Sequence, residues 1–232
     1  MALKLVTYFL CTLACLLSGC FSKRIVVVET GQFLNAKSSL YQVKPGDNLY
    51  SIAFVYQVST QTIIQQNPGL STSGSLRVGQ SIKVPNAFSS KVSSVSHVSD
   101  ERQESSDNYL QVHWKKPVDG VAVKRGTHYD GILIYTHVNQ KVMASLGGRV
   151  VYVGNGIRGY GNLILIQQDN GLVTAYGFNQ SVRVKAGDVV KKGQVISTVG
   201  LSQDGKPCLY FEVRSSQGQP LKNMLTLWKK MA

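Results

Sequence analysis

Three side chains of this 232-residue chain are candidate ligands for a metal ion. His128 and Asp130 lie two positions apart, and Cys208 follows much later in the sequence. A zinc site needs donors of this kind to converge, with metal–ligand distances of about 2.0–2.3 Å. A makeshift site made of these three residues is therefore one hypothesis. The alternative, which we favour, is that His128 is a surface imidazole and Cys208 a small buried thiol.

The other three cysteines lie in an N-terminal segment that is typical of an export signal. An apolar run from Ala2 to Gly19 carries one lysine near its start and is short for a membrane-spanning helix. It ends in Leu-Leu-Ser-Gly immediately before Cys20. The simpler alternatives are a cleaved signal followed by a coincidental cysteine, or a retained transmembrane helix.

This ending resembles the lipobox of bacterial lipoproteins, in which the signal is cleaved before the cysteine and the thiol is acylated. The resemblance implies a signal peptide over residues 1–19 and a lipid anchor on Cys20, with acyl chains that contribute about 0.8 kcal/mol per buried CH₂ group. Phe21, where inner-membrane lipoproteins commonly have Asp, implies sorting to the periplasmic face of the outer membrane of a Gram-negative host. Cys208 would then be the one unmodified thiol, so no disulfide is expected.

Composition excludes several classes of protein. Hydrophobic residues make up 43% and charged residues 16% of the chain, which excludes a largely disordered chain, a coiled coil and a collagen-like fibre. Residues 109–232 contain 16 basic and 6 acidic residues, a net charge of +10 out of +13 for the whole chain. A basic surface favours nucleic acid, membrane headgroups or an anionic cell wall as the partner. Export argues against nucleic acid.

Turn residues and composition divide the mature chain into four parts. Residues 20–40 carry the lipidated cysteine and show no sustained periodicity, so we interpret them as a tether. Residues 86–108 contain 8 serines and are predicted to form a flexible linker. Two globular domains, residues 41–85 and 109–232, flank this linker.

The smaller domain is predicted to have the order β-α-α-β. Residues 41–43 alternate like a short strand, and the turn that follows places Asp47 to cap the next helix. One apolar helical face comes next, made of Leu49, Ile52, Ala53 and Tyr56. A second helix is predicted over residues 60–66 and a closing strand over residues 81–85.

The whole segment resembles a LysM domain, through Tyr-x-Val-x-Pro-Gly-Asp-x-Leu from Tyr41, then Asn67-Pro68, then Val-Gly-Gln-x-Ile-x-Val-Pro up to Pro85. LysM modules bind the N-acetylglucosamine backbone of peptidoglycan or chitin in a shallow groove. The resemblance implies that two loops form that groove: Gly46, Asp47, Asn48 and Leu49, and Asn67, Pro68, Gly69 and Leu70. The alternative for Asp47 and Leu49 is a purely structural role, as helix cap and core residue.

The larger domain is predicted to be an all-β sandwich or barrel. Short apolar runs separated by glycine-containing turns predict strands over residues 131–134, 141–144, 148–153, 162–167, 173–176, 182–184, 195–199 and 209–213. No helix longer than two turns is expected there. The fold class of the chain is therefore mainly β, with a small α+β module.

Three stretches of this domain resemble the LytM, or M23, metallopeptidases, whose fold is the lysostaphin-like barrel-sandwich. They are residues 148–164, 184–196 and 209–214. Such enzymes hold zinc with a His-x-x-x-Asp motif and the second His of a His-x-His motif, and a Tyr-x-His segment assists catalysis. The aligned positions are all replaced here, by Tyr129, Leu133, Phe178, Cys208 and Tyr210.

These replacements remove the side chains that would bind zinc and assist peptide hydrolysis. Leu133 and Phe178 have no lone pairs for a metal, and a phenol with an ordinary pKa of about 10 is a poor neutral donor. Without zinc, no bound water reaches a pKa of about 7, so we predict no cofactor and no peptidase activity.

What remains is an aromatic-lined groove at these five positions, with Arg158 and Tyr160 on a neighbouring loop. Exposed aromatic and arginine side chains commonly anchor protein interfaces, which makes this groove the candidate partner site. The alternative is that the five residues merely fill the lost metal site as ordinary packing.

The combination of lipobox, LysM module, linker and ligand-less LytM domain is similar to the NlpD family of murein hydrolase activators. The resemblance implies a non-catalytic outer-membrane lipoprotein that binds peptidoglycan and activates a periplasmic N-acetylmuramoyl-L-alanine amidase, so that septal peptidoglycan is split and daughter cells separate. A purely structural tether between outer membrane and peptidoglycan is one alternative, and a residual M23-type endopeptidase is the other.

Overall fold

A computed structural model describes residues 38–71, 75–85, 109, 112–125 and 130–231. The predicted signal peptide, Cys20, most of the tether and the linker over residues 86–108 lie outside these ranges. Both globular domains belong to one compact unit, Asn35–Ala232. Within the part of the chain that is described, no helix has the length and apolarity needed to cross a membrane.

The smaller domain has the predicted order: β1 (Ser38–Gln42), α1 (Leu49–Tyr56), α2 (Thr60–Gln66) and β2 (Ser81–Pro85). The two strands are antiparallel and pair along their whole length, from Ser38 opposite Pro85 to Gln42 opposite Ser81. The first strand therefore starts before Tyr41, because full pairing with β2 requires five residues. The core consists of Val43, Leu49, Ile52, Ala53, Val58, Ile63, Ile82 and Val84.

The predicted cap of α1 is wrong by one residue. Asn48 is the N-cap, since its backbone is extended and its side chain accepts from the Ser51 amide, with Ser51 Oγ accepting from the Asn48 amide in return. Asp47 instead closes the preceding turn, where its Oδ2 accepts from the Lys44 amide at 2.8 Å and from the Tyr41 hydroxyl at 2.6 Å. Both residue types favour caps, so composition alone could not separate them.

The larger domain is a nine-stranded, fully antiparallel sheet followed by a short helix. Its elements are β3 (Val121–Lys124), β4 (Ile132–Tyr135), β5 (Lys141–Met143), β6 (Gly148–Gly154), β7 (Asn162–Gln167), β8 (Val173–Val182), β9 (Val189–Val190), β10 (Val195–Leu201), β11 (Pro207–Arg214) and α3 (Met224–Lys230). The predicted fold class, mainly β with a small α+β module, is confirmed.

One strand differs from the prediction in a way that shapes the site. Residues 173–176, predicted as one strand, begin the ten-residue strand β8, whereas of the strand predicted over residues 182–184 only Val182 belongs to it. Its first half pairs with β11, from Val173 to Gly177, and its second half pairs with β10, at Asn179 and Val182. The change of partner lies at Phe178, which has a φ of 60°.

Candidate functional site

Four of the five residues that are predicted to replace metal-site residues come together in the larger domain. Leu133 lies directly opposite Tyr210 on the neighbouring strand, and Tyr210 also lies opposite Gly177, next to Phe178. Together with two further tyrosines they form a group that we call the aromatic cluster: Leu133, Tyr135, Tyr160, Phe178, Cys208 and Tyr210. Tyr129 lies outside the described residues.

The aromatic cluster is part of the interior. Cys208 and Tyr210 are 0% exposed and Phe178 is 3% exposed, whereas Leu133, Tyr135 and Tyr160 are half-buried. In this arrangement only the half-buried members and the neighbouring Arg158, which is exposed, could touch a partner directly. The partner-binding role of these residues stays a prediction.

Tyr210 is held in its neutral form. Its hydroxyl donates to Glu212 Oε2 at 2.6 Å and accepts from the Gly131 amide at 3.2 Å. Burial, followed by the charge of Glu212, raises the pKa of Tyr210 well above its ordinary value. A phenolate at this position is therefore strongly disfavoured.

A positive charge lies against the same rings. The guanidinium carbon of Arg125 is 5.0 Å from the ring centre of Phe178, 5.1 Å from that of Tyr210 and 5.8 Å from that of Tyr160. Its Nη2 donates to the carbonyl oxygen of Gly159 at 2.9 Å, which ties it to the loop that carries Tyr160. Cation–π contacts with three rings place a protein cation in the aromatic cluster.

Phe178 adopts a backbone conformation that is rare for an aromatic residue. Its φ of 60° lies in the left-handed region, and its amide donates to the Tyr160 carbonyl at 2.8 Å instead of to a neighbouring strand. Such a conformation persists only where the surroundings impose it. Here the aromatic cluster and the change of strand partner together hold it.

A buried ion pair extends this polar network. Arg214 Nε donates to Glu212 Oε1 at 2.6 Å, and the two side chains are 4% and 1% exposed. Arg214 Nη1 also donates to the carbonyl of Phe54, in the smaller domain, and its guanidinium carbon lies 3.7 Å from the centre of the Phe54 ring. Both residues lie in the M23-like stretch over residues 209–214, but no role was predicted for either from the sequence, although their spacing by two places them on one face of a strand.

A second apolar group, the interdomain cluster, joins the two domains. It contains Phe54 from the smaller domain and Val151, Tyr152, Ile157, Leu163, Leu165 and Ala175 from the larger one, with Tyr50, Tyr160 and Val173 at its edge. The Phe54 ring meets the Tyr160 ring edge-on, with centres 5.2 Å apart. Tyr160 also meets Tyr210 edge-on at 5.1 Å, so this side chain connects the two clusters.

Contacts within the LysM-like domain hold the two predicted glycan loops in place. Leu49 is buried in the core, and the Asn67 amide group bonds to the Ile63 carbonyl and to both backbone groups of Lys83. Exposed surface remains at Gly46, Pro68 and Gly69, whereas Asp47, Asn48 and Leu70 are half-buried. A ligand would therefore meet mainly backbone and the edges of these side chains. Glycan binding by these eight residues stays a prediction.

The alternative metal site receives no support from the geometry. His128 lies outside the described residues, and Asp130 and Cys208 lie at opposite ends of β4, since Cys208 pairs with Tyr135. The Asp130 carboxylate accepts from Gln57 Nε2 at 3.1 Å. Among the described residues, no group of three or more His, Cys, Asp or Glu side chains could hold a metal ion.

The zinc ion that an M23-type fold implies does not fit the residues present. Leu133 and Phe178 carry no donor atoms, and Tyr210 is a neutral phenol already bonded to Glu212. The guanidinium of Arg125 against the same rings would repel a second cation. These residues can pack together and can contact a partner protein, but their side chains are unsuited to binding zinc.

Comparison with known proteins identifies both domains. Residues 127–223 match the family model of peptidase family M23, and residues 41–85 match that of the LysM domain. Among solved structures, the antimicrobial peptidase lysostaphin from Staphylococcus simulans is similar, at 24% identity with a TM-score of 0.43 over 50% of each chain.

Several curated relatives are named lipoproteins or murein hydrolase activators. The "Uncharacterized lipoprotein YgeR" of Escherichia coli (strain K12) is 33% identical over 215 residues, which cover 86% of this chain and 83% of the relative. The "Lipoprotein NlpD/LppB homolog" of Pseudomonas aeruginosa is 39% identical over 47% of this chain and 37% of its own length. The "Murein hydrolase activator NlpD" of Escherichia coli (strain K12) is 36% identical over 44% and 28%, so these matches span well under half of either NlpD-type relative. This chain, which has a LysM and an M23-type domain, therefore belongs to the same family as the lipoprotein YgeR and has further relatives named NlpD.

Proposed function

We propose that this protein is a non-catalytic activator of a periplasmic N-acetylmuramoyl-L-alanine amidase. Cys20 anchors it by lipid to the periplasmic face of the outer membrane, and the LysM domain holds it on peptidoglycan. The M23-type domain binds the amidase and favours its open form, so that septal peptidoglycan is split and daughter cells separate. The gain in amidase activity is then set by how much more tightly the protein binds the open amidase than the closed one.

The observation that carries the proposal is the filling of the metal site. The positions that supply zinc ligands in M23 peptidases are occupied by Leu133 and by Tyr210, and the Arg125 cation packs against the same aromatic rings. A domain that keeps its fold without donors for zinc is better suited to binding than to hydrolysis. The exposed Arg158 beside this cluster, on a domain with net charge +10, offers a contact for an acidic partner surface.

A dye-release assay on labelled peptidoglycan tests the proposal. A soluble form, residues 21–232, is assayed alone and together with the host's periplasmic amidase. We expect dye release only in the mixture, and a loss of activation with Arg158→Ala but not with Arg183→Ala, an arginine outside the loop.

The other outcomes separate the alternatives. Binding to peptidoglycan without any gain in amidase rate would favour the structural tether. Chelator-sensitive release by the protein alone would favour the endopeptidase and contradict the loss of the metal site.

A further inference from the structure

Helix α1 of the LysM domain packs on two sides. Leu49, Ile52 and Ala53 face the core of their own domain. Phe54 belongs instead to the interdomain cluster and is 4% exposed, because it is covered by Tyr160 and Arg214 of the M23-type domain. An aromatic side chain that lies outside the core of its own domain is stabilised when a neighbouring surface shields it from water.

Polar contacts specify this docking along the whole helix. Tyr50 Oη donates to Gln167 Oε1 at 3.1 Å, and Gln57 receives a hydrogen bond on its carbonyl from Gln219 Nε2 at 2.7 Å. Gln57 Nε2 in turn donates to Asp130. The contacts at Asp130 and Tyr160 place the end of α1 at the rim of the aromatic cluster, beside the predicted partner surface.

One of the two glycan loops takes part in the same interface. Asn48 Nδ2 donates to the Val151 carbonyl on β6 at 2.9 Å, so the loop from Gly46 to Leu49 abuts the M23-type domain. Burial, with a further contribution from the charge of Asp47, raises the pKa of Tyr152, the residue that follows Val151. Asn48 thus contacts β6 directly, and the charge of Asp47 acts on the neighbouring Tyr152.

We infer that docking of α1 and glycan binding exclude each other, so that an N-acetylglucosamine polymer seated against Gly46–Leu49 releases the LysM domain from β6 and uncovers the M23-type surface around Tyr160 and Asp130. This inference rests on the glycan-binding part of the proposed function. Docked chains would be poor amidase activators until they meet the wall, and the wall polymer itself would be the signal.

A substitution in the M23-type domain tests this without touching the LysM domain. Gly218 lies in a turn with φ of 82°, and a Cβ atom there would overlap the backbone of Val58, two residues after the end of α1. Gly218→Ala should therefore push the LysM domain away. Gly205→Ala is the matched control, since Gly205 has a φ of 76° and open space around its Cβ position. The two variants share the backbone strain and differ in the clash.

The readout is the affinity of the soluble form, residues 21–232, for chitohexaose by calorimetry. If nine-tenths of the molecules are docked, Gly218→Ala should bind about tenfold more tightly than wild type, because a docked fraction lowers the apparent affinity in proportion. Gly205→Ala should bind like wild type. A second opening variant, Phe54→Ser, should match Gly218→Ala, with Val55→Ser as its control, since Val55 is on the same helix and 54% exposed.

The outcomes distinguish the inference from the function on which it rests. Equal affinities for wild type, Gly218→Ala and Phe54→Ser would overturn the inference and leave glycan binding intact. No binding by any form would overturn both. Tighter glycan binding by the open variants, with no amidase activation by any form, would support the inference and remove only the amidase part of the proposed function.

Discussion

The aromatic cluster and the interdomain cluster are built from the same materials. Each combines aromatic rings with one arginine, Arg125 in the first and Arg214 in the second, and Tyr160 belongs to both. The two clusters differ in the parts of the structure that enclose them. Paired strands of a single domain enclose the aromatic cluster, whereas the interdomain cluster joins two domains that each have a separate core.

The comparison shows that a cluster inside one domain and a cluster between two domains can have similar compositions. Removing a ring from the aromatic cluster leaves a cavity inside a domain, which costs stability directly. Separating the interdomain cluster exposes Phe54 and its cover but leaves both cores intact. The first cluster is therefore a permanent part of the fold, and the second can open.

The largest expected effect comes from the ion pair that lies between the clusters. Arg214→Met removes the cation that pairs with the buried Glu212 carboxylate, and should lower the free energy of unfolding by about 3–5 kcal/mol. Urea denaturation measures this. The solvent-accessible Arg183→Met is the control and should stay within about 0.5 kcal/mol of wild type. A loss below about 1 kcal/mol for Arg214→Met would mean that the pair is not buried in solution.

A smaller effect is expected inside the aromatic cluster. Tyr210→Phe keeps the ring but removes the hydrogen bond to the Glu212 carboxylate, so we expect a loss of about 1.5–3 kcal/mol in the same measurement. Tyr135→Phe, at the half-buried edge of the cluster, should change little. Similar losses in the two variants would argue against a special role for the Tyr210 hydroxyl.

Tyr160 should make stability depend on pH in the alkaline range. Burial, and then the charge of Glu212, raises its pKa to about 12 from the ordinary value of 10. The neutral phenol is favoured in the folded state, so its contribution is complete below pH of about 10 and is lost as the pH rises towards about 12. Unfolding midpoints recorded across this range should fall more steeply in wild type than in Tyr160→Phe. Parallel curves for the two proteins would contradict the raised pKa.

The smallest effect separates the two roles of Asn48. Asn48→Asp keeps an acceptor for the cap but loses the donor to Val151, and should cost about 0.5–1.5 kcal/mol. Asn48→Ala loses both bonds and should cost about 1 kcal/mol more. Urea denaturation of the two variants checks this, and equal losses would show that capping contributes nothing here.

The parts of the fold that follow a simple periodicity could be predicted. Helix α1 is predictable because its core residues recur at helical spacing, and most strands of the larger domain follow from apolar runs between turns. Strand β8 was predicted as two pieces because Gly177 and Phe178 look like an interruption, whereas the structure bridges them with a left-handed residue. Strand β3 carries too few buried residues to give a pattern, with three of its four residues exposed.

In the candidate site, too, some features could be predicted from the sequence and others could not. Loss of the metal donors follows from residue types alone, since leucine and phenylalanine cannot bind zinc. The contact of the Arg125 cation with the rings could not be predicted, because it joins a residue directly after β3 to rings that are distant in the sequence. Phe54 gave one usable signal: with Tyr50 it forms an aromatic pair at i and i+4 on a helix face that the domain's core does not use.

The hydrogen bond from the Gly131 amide to Tyr210 has a practical consequence. It is the first link of a chain that runs through Glu212 and Arg214 to the carbonyl of Phe54, and so crosses from one domain into the other. When α1 separates from the M23-type domain, Arg214 loses its hydrogen bond to the Phe54 carbonyl. The hydrogen bonds among Arg214, Glu212, Tyr210 and Gly131 must then readjust. The nuclear magnetic resonance signal of the Gly131 amide is therefore a reporter of whether the two domains are in contact, and it can be recorded on isotope-enriched protein without attaching a probe.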